Sequence, residues 1–440
     1  MRRTRTTRSG VIRALSVVAA GTVAGMMISV PSAAAETKDP AKDRKQYHIV
    51  DVIFRGNYVE GLNGIKYDSF RIPAIVRTNA GTLLAFAEGR AKSKKDYGNI
   101  NLVYKRGTNN GATHDDWSGL KEAVGAGMGT WGNPTPVVDR STGTIWLFMS
   151  WNAADKSQSG GTNPDTGEET SKVSAWGERR VFVMKSTDDG QTFTGMNGEP
   201  KPTDMTDELL PNKQPDGKKW TWDAIGPGAG LYTKNGTLVI PAQHRNIYST
   251  DHGKTWKVVL MSDAKTSEAT VTQLPNGELY RNDRPTRTTW ETDDGDGIKH
   301  KRRWVSRTPD ITKRFPPSAP DDKLLDPRNQ GSALLYNDTE PDAPPRTLFL
   351  NSASTESRTK MRVRVSYDKD ARTWERSRPL SEGPEWPPVD IGEEGGYSSM
   401  TKTADEMVGA LIEAELSTTE TFSILYRKFN IPWVVNGCTC

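Results

Sequence analysis

The chain is poor in the residues that cross-link proteins or bind transition metals. Of its 440 residues, only two are cysteine and five are histidine. Cys438 and Cys440 sit at the extreme C-terminus. A bridge between them would close a tiny, strained loop and could not hold a large domain together. His48, His114, His244, His252 and His300 are scattered without ligand spacing, so neither a metal site nor a cofactor is expected. Long apolar runs are scarce too: Ala14–Val30 is small-residue, apolar and short for a bilayer span. No long stretch carries the periodicity of an amphipathic helix. An excess of one charge is also missing. The 59 basic and 55 acidic residues include five arginines at the start, which leaves 54 against 55 in the rest. That balance excludes an overall cationic field for nucleic acid or an anionic membrane, so any anion must be bound locally.

What is present begins with a leader. Arg2, Arg3, Arg5, Arg8 and Arg13 precede the apolar run, and Ala33-Ala-Ala35 offers a cleavage site before Glu36. This pattern predicts a secretory signal over 1–35, a short linker over 36–46, and an exported, extracellular chain without a membrane anchor. A single domain is expected over 47–440.

Within it, Ser186-Thr-Asp-Asp-Gly-Gln-Thr-Phe193 and Ser249-Thr-Asp-His-Gly-Lys-Thr-Trp256 are nearly the same octapeptide. Ser366-Tyr-Asp-Lys-Asp-Ala-Arg-Thr-Trp374 is a third copy with one extra residue and no glycine. Lys105–Gly111, followed by Trp117, reads as a decayed one. The Asp can accept bonds from backbone N–H groups just after it, the Gly supplies a positive φ, and the aromatic anchors the turn. Strand-like runs lead into the boxes at 181–184 and 361–365, and others stand at 82–87, 144–149, 347–350, 408–412 and 423–426. Hairpins repeated in this way predict an all-β chain, a single β-propeller closed radially. The stretches 152–178 and 196–219 read as surface insertions, and 284–330 as a long excursion between blades.

The richest site signal is Phe70-Arg71-Ile72-Pro73, followed by Gly81–Arg90 and by Asp96 in Lys95-Asp96-Tyr97-Gly98. With the boxes, this order resembles the secreted bacterial sialidases, glycoside hydrolases built on a six-bladed β-propeller with Asp-box repeats, over roughly residues 47–436. The resemblance implies roles residue by residue. Arg71, Arg284 and Arg358 match the three arginines that bind the substrate carboxylate. Asp96 matches the acid/base catalyst, Tyr397 the nucleophile and Glu268 its partner, while Glu413 matches the carboxylate that steadies the first arginine. Arg90 is expected to hold the Asp96 loop, and Asn133 and Gln330 stand where the family sometimes has sugar contacts. Arg362 and Arg364, near Arg358, read as outward-facing.

These residue types suit the chemistry. Three guanidinium groups give a carboxylate a fixed, always-charged grip that lysine does not copy. A phenol avoids the repulsion that a carboxylate nucleophile would meet at an anomeric carbon bearing a negative group, but its ordinary pKa near 10 calls for a base beside it. The expectation is a monomeric exo-α-sialidase that acts on sialylated glycoproteins, glycolipids and oligosaccharides with retention, through a tyrosyl intermediate. A transferring or intramolecular variant, a preference for the deaminated sugar, and a non-catalytic sialic-acid-binding propeller remain alternatives. The lectin would need the arginines but not Tyr397, Glu268 and Asp96 together.

Overall fold

The computed structural model describes residues 39–439 apart from 126, 128, 294–298, 338, 340–341, 384–390 and 418. The expected leader, the start of the linker, Cys440 and the Cys438 side chain lie outside the described residues. The fold is all-β. The longest described helix is Ile431–Val435, and no described helix is long and apolar enough to cross a membrane.

The strands pair as successive antiparallel meanders. The first comprises Ser69–Arg77, Leu83–Arg90, Ile100–Gly107 and Lys121–Val124. The second comprises Gly129–Val138, Ile145–Ala153, Arg180–Ser186 and Thr203–Asp204, and is joined to the first by one parallel bridge from Ile100 to Thr130. The third runs from Leu231–Tyr232 to Lys257–Leu260, the fourth from Thr266–Gln273 to Ala319–Leu325, and the fifth from Ser332–Tyr336 to Arg376–Pro379. The last is built from Ile391–Lys402, Val408–Leu416 and Phe422–Phe429, and its fourth strand is His48–Phe54 from the other end of the domain. The leading strands touch in cyclic order, each its neighbour, and Ile391–Lys402 packs back on Ser69–Arg77.

The boxes form the hairpin tips between the third and fourth strands, as their chemistry predicts. Asp188 Oδ1 accepts from the backbone N–H of Gln191 and Thr192, at 3.1 and 3.0 Å, and Ser186 Oγ accepts from Gly190 N at 3.0 Å. Their aromatic residues do more than anchor a turn, because each reaches into the preceding meander. Phe193 packs edge-on against Phe86 and Tyr104, Trp256 against Phe148 at 4.7 Å, and Trp117 of the decayed box against Tyr426 at 5.0 Å. Such pairs contribute about 0.5–1.5 kcal/mol beyond the area they bury. In the third box Ala371 takes the positive φ, at 51°. Gly253 (φ 80°) shows how tight the staple is: a Cβ there would stand 2.3 Å from the Trp146 ring. Gly253→Ala combines left-handed strain with overpacking and should cost about 2–4 kcal/mol of unfolding free energy in urea titrations. Gly277→Ala, at φ 91° with open space around it, should cost only the strain, about 1–2 kcal/mol.

Three expectations need correction. Segment 284–330 is not an excursion: it supplies Lys299–Thr308 and Ala319–Leu325, the third and fourth strands of a meander. Its charge misled, because Arg303 is fully buried and neutralised by Asp326 at 3.0 Å. Segment 196–219 is not all surface, since the short helix Thr206–Leu209 brings Leu209 and Leu210 into the core. Arg364 does not face outward: it is 6% exposed and donates to Asn351 Oδ1 at 2.8 Å. Segment 152–178 does form an insertion, a small sheet of Lys156–Ser157, Gly161–Thr162 and Glu169–Lys172.

Candidate active site

Four of the leading strands, Ser69–Arg77, Gly129–Val138, Thr266–Gln273 and Ile391–Lys402, slip in their pairing, and residues at or beside the slips line one cavity of about 220 Å³. In the first meander the pairing slips between Arg71 and Ala74, and Ile72 sits at φ 57°. In the second it slips between Gly132 and Thr135, with Asn133 at φ 60°. A β-branched residue in the left-handed region is strained and persists only where its surroundings over-determine it. Here the restraint is Glu413, on the central strand Val408–Leu416 and wholly buried. Its Oε1 accepts from Ile72 N at 2.9 Å, while its Oε2 accepts from Arg71 Nη2 and from Tyr397 N, both at 3.0 Å. One carboxylate thus ties together the strands that present Arg71 and Tyr397. Burial alone would raise the Glu413 pKa, but Arg71 and the two backbone donors hold it below its ordinary value. The glycines before Tyr397 permit the approach: a Cβ on Gly396 would come within 2.2 Å of Glu413 Oε2, and one on Gly395 within 1.7 Å of the Arg358 carbonyl.

Tyr397 is 5% exposed. Its hydroxyl donates to Glu268 Oε1 at 2.5 Å and accepts from Arg284 Nη1 at 2.7 Å. Arg284 Nη1 also lies 2.5 Å from Glu268 Oε2, which closes a three-membered network. Burial pushes the phenol pKa well above its ordinary range; Arg284 pulls it back and Glu268 adds to the rise. The group is therefore neutral near pH 7, with a carboxylate already on its proton. Arg71 and Arg358 stand over the Tyr397 ring, 5.7 and 5.4 Å from its centroid. Arg358 lies in the loop before Met361–Ser366 and lines the cavity, whereas Arg362 donates to Ser377 Oγ at 2.7 Å.

Across the cavity, Asp96 pairs with Arg90 at 2.8 Å and with Arg71 at 3.4 Å. Desolvation would raise its pKa, but with the side chain 73% exposed at the mouth the two ion pairs decide, and hold it well below the usual carboxylate range. Arg90 is almost fully buried, is bonded to Glu88 at 2.7 Å, and also donates to the Lys94 carbonyl, so it holds the Asp96 loop.

The cavity thus brings together Arg71, Arg90, Asp96, Asn133, Glu268, Arg284, Arg358 and Tyr397. Gln330 is placed elsewhere. It is 2% exposed and its amide is spent on backbone, donating to the carbonyls of Pro227 and Ser398 and accepting from Ser398 N. A sugar cannot reach a side chain saturated in that way. Several lining groups stand outside the motifs of the sequence. Arg179 is buried, donates to Asn133 Oδ1 at 2.6 Å and stacks 4.2 Å over Trp222. Glu88 accepts from Asn133 N at 2.9 Å, and Arg328 stands at φ 64° on the wall. One signal was available: Ile72-Pro73, Asn133-Pro134 and Gly226-Pro227 each pair a positive-φ residue with a following proline in the leading segment of a meander.

The arrangement suits an anion. Arg71, Arg284, Arg328 and Arg358 all line the cavity. Among the described residues no cluster of three His, Cys, Asp or Glu gathers that could hold a metal ion. A neutral phenol hydrogen-bonded to a carboxylate, a separate carboxylate at the mouth and guanidinium groups on the walls are parts that suit displacement at a carbon that bears a carboxylate.

Comparison with known proteins agrees. The BNR repeat-like domain family matches residues 81–411. The exo-alpha-sialidase of Arthroderma benhamiae is 44% identical, covering 93% of this chain and 96% of that protein. The exo-alpha-sialidase of Aspergillus fumigatus is 45% identical, covering 91% and 94%. Both are fungal, whereas the motifs of the sequence resemble the bacterial members of the family. Among solved structures, the Hadza microbial sialidase Hz136 shares the fold with a TM-score of 0.66 at 22% identity, covering 89% of this chain and 70% of that one.

Proposed function

The chain belongs to the sialidase family, and on that footing we propose that it is an exo-α-sialidase which hydrolyses terminal α-ketosidic sialic acid from glycoconjugates with retention of configuration. The observation that carries this reading is the Tyr397–Glu268 hydrogen bond of 2.5 Å inside the cavity that Arg71, Arg284 and Arg358 line. We take the meanders to be the six blades of a propeller over 47–440, a reading supported by their cyclic packing and by the N-terminal strand that completes the last one. We read the basic start, apolar run and small-residue site over 1–35 as a leader for export, with 36–46 as a linker, and propose a monomer.

The substrate carboxylate docks against the three arginines. It then supplies the negative charge that Asp96 alone gives Arg71 from the mouth, so one of the two ion pairs that hold Asp96 ionised weakens and its pKa rises. A carboxyl able to hold a proton then stands at the leaving side. As Tyr397 Oη attacks the anomeric carbon, its proton passes to Glu268, while Asp96 gives its proton to the departing glycosidic oxygen. In the second half, Asp96 takes a proton from water, the water oxygen attacks the anomeric carbon, and the phenolate regains its proton from Glu268. Two displacements on one centre retain configuration.

The test is to follow release of sugar from an aryl α-sialoside by proton NMR. The first-formed product should be the α-anomer, which then mutarotates. Immediate appearance of the β-anomer would exclude the double displacement. Binding without release would favour a lectin, and an anhydro or transferred product would favour the transferring variants.

A further inference from the structure

The loop that carries Asp96 has little structure of its own. Between Ala91 and Asn99 the one ladder-like contact is Ala91 N to Asn99 O, at 3.1 Å, and the segment is otherwise bends. From outside, however, it is gripped by the insertion of the second meander. Asp165 Oδ2 accepts from Asn99 N at 2.6 Å, and Lys95 Nζ donates to the Thr162 carbonyl at 3.0 Å. The approach is close enough that a Cβ on Gly98 would stand 2.6 Å from Asp165 Oδ2, and one on Gly161 2.4 Å from the Tyr97 hydroxyl. The grip is anchored at its far end. Asn163, 4% exposed, donates to the Ala154 carbonyl at 3.2 Å, and its Oδ1 accepts from Asp165 N at 2.9 Å. A continuous path therefore runs from the strand Ile145–Ala153 through Ala154, Asn163 and Asp165 to Asn99, three residues from Asp96.

We propose that the 161–165 segment is a strap that sets the position of Asp96, and that Asp165 is its positioning residue. The insertion, which reads in sequence as surface decoration, is in this view part of the acid/base machinery. The inference rests on the assignment of Asp96 as proton donor to the leaving oxygen. A donor at an exposed mouth gains most from external restraint, because misplacement by about 1 Å can cost on the order of 100-fold in rate.

Proton donation matters for an alcohol leaving group and little for a phenol that departs as an anion. The experiment measures kcat/KM on a sialyl-galactoside and on an aryl sialoside for wild type, Asp165→Ala, Asp165→Asn and Asp96→Ala, with urea unfolding of each. Asp165→Ala should lose roughly 10- to 100-fold on the sialyl-galactoside with little change on the aryl sialoside. Asp165→Asn, whose amide oxygen can still accept from Asn99 N, should recover most of the loss. Equal losses on both substrates, no loss on either, or an Asp165→Asn variant as impaired as Asp165→Ala would overturn the strap. Asp96→Ala separates the two readings. If it shows the leaving-group contrast and Asp165→Ala does not, only the strap fails; if it lacks the contrast, the donor assignment fails as well.

Discussion

Tyr397→Phe should reduce kcat on a fluorogenic α-sialoside by on the order of 10³-fold or more, equivalent to about 4 kcal/mol of barrier, while the protein remains folded and still binds a sialic acid analogue. The substitution removes one oxygen. Arg284 and Glu268 keep their contact of 2.5 Å, so the cavity loses the proposed nucleophile without gaining an unpaired charge. Glu268→Gln keeps the volume but removes the proton acceptor, and a fall of roughly 10²–10⁴-fold is expected, the usual worth of a positioned base. Fluorescence release alongside binding by calorimetry checks both. A Tyr397→Phe enzyme with near-normal release would mean that the neutral phenol is not the nucleophile, and the double displacement would fall with it.

The second large effect is structural. Glu413→Ala should cost about 3–5 kcal/mol of stability, because it leaves the nearly buried Arg71 without its close partner and takes away the acceptor for two backbone N–H groups. It should also abolish activity, since the strained Ile72 turn and the Tyr397 backbone lose their common tether. The pH dependence has a definite sign. Glu413 is held below its ordinary value in the folded protein, so its contribution is fully present above the unfolded value near 4.3 and fades as pH falls through the lower folded value. Urea midpoints between about pH 2.5 and 7 should therefore drop steeply at the acid end for wild type. Glu413→Gln, with no charge to lose, should be less stable at neutral pH and flatter below about pH 4. An acid limb identical in the two proteins would show that the tether contributes through packing alone.

Much of this is legible in the chain itself. The boxes carry their own turn chemistry within eight residues, and strands such as Leu83–Arg90 and Val408–Leu416 begin at or beside the runs predicted for them. Arg71, Asp96, Glu268, Arg284, Arg358 and Tyr397 stand in short local patterns, and the cavity gathers all six. The failures share a cause. Segment 284–330 reads as an excursion because it is charged and contains proline, yet Arg302 pairs with Asp322 on the neighbouring strand and Arg303 with Asp326 just past it. The resemblance offers Gln330 as a sugar contact, yet strand packing spends its amide on backbone. Arg179 and Glu88 stand in no motif of the sequence; both meet Asn133, from 46 and 45 residues away.

The sequence by itself determined the local events: where hairpins turn, which runs extend, and which residue types could grip a carboxylate and attack beside it. These follow from backbone preferences and side-chain chemistry within a few residues. Only the tertiary structure decided which charges are neutralised and which remain free to meet a substrate, because that depends on partners brought together from across the chain. Arg71 meets Glu413 from 342 residues away. Trp256 closes on the preceding meander, and the 161–165 segment reaches back to the loop of Asp96. An isolated arginine reads the same whether it is solvated, paired or poised, and only the packing of one strand against another separates these cases.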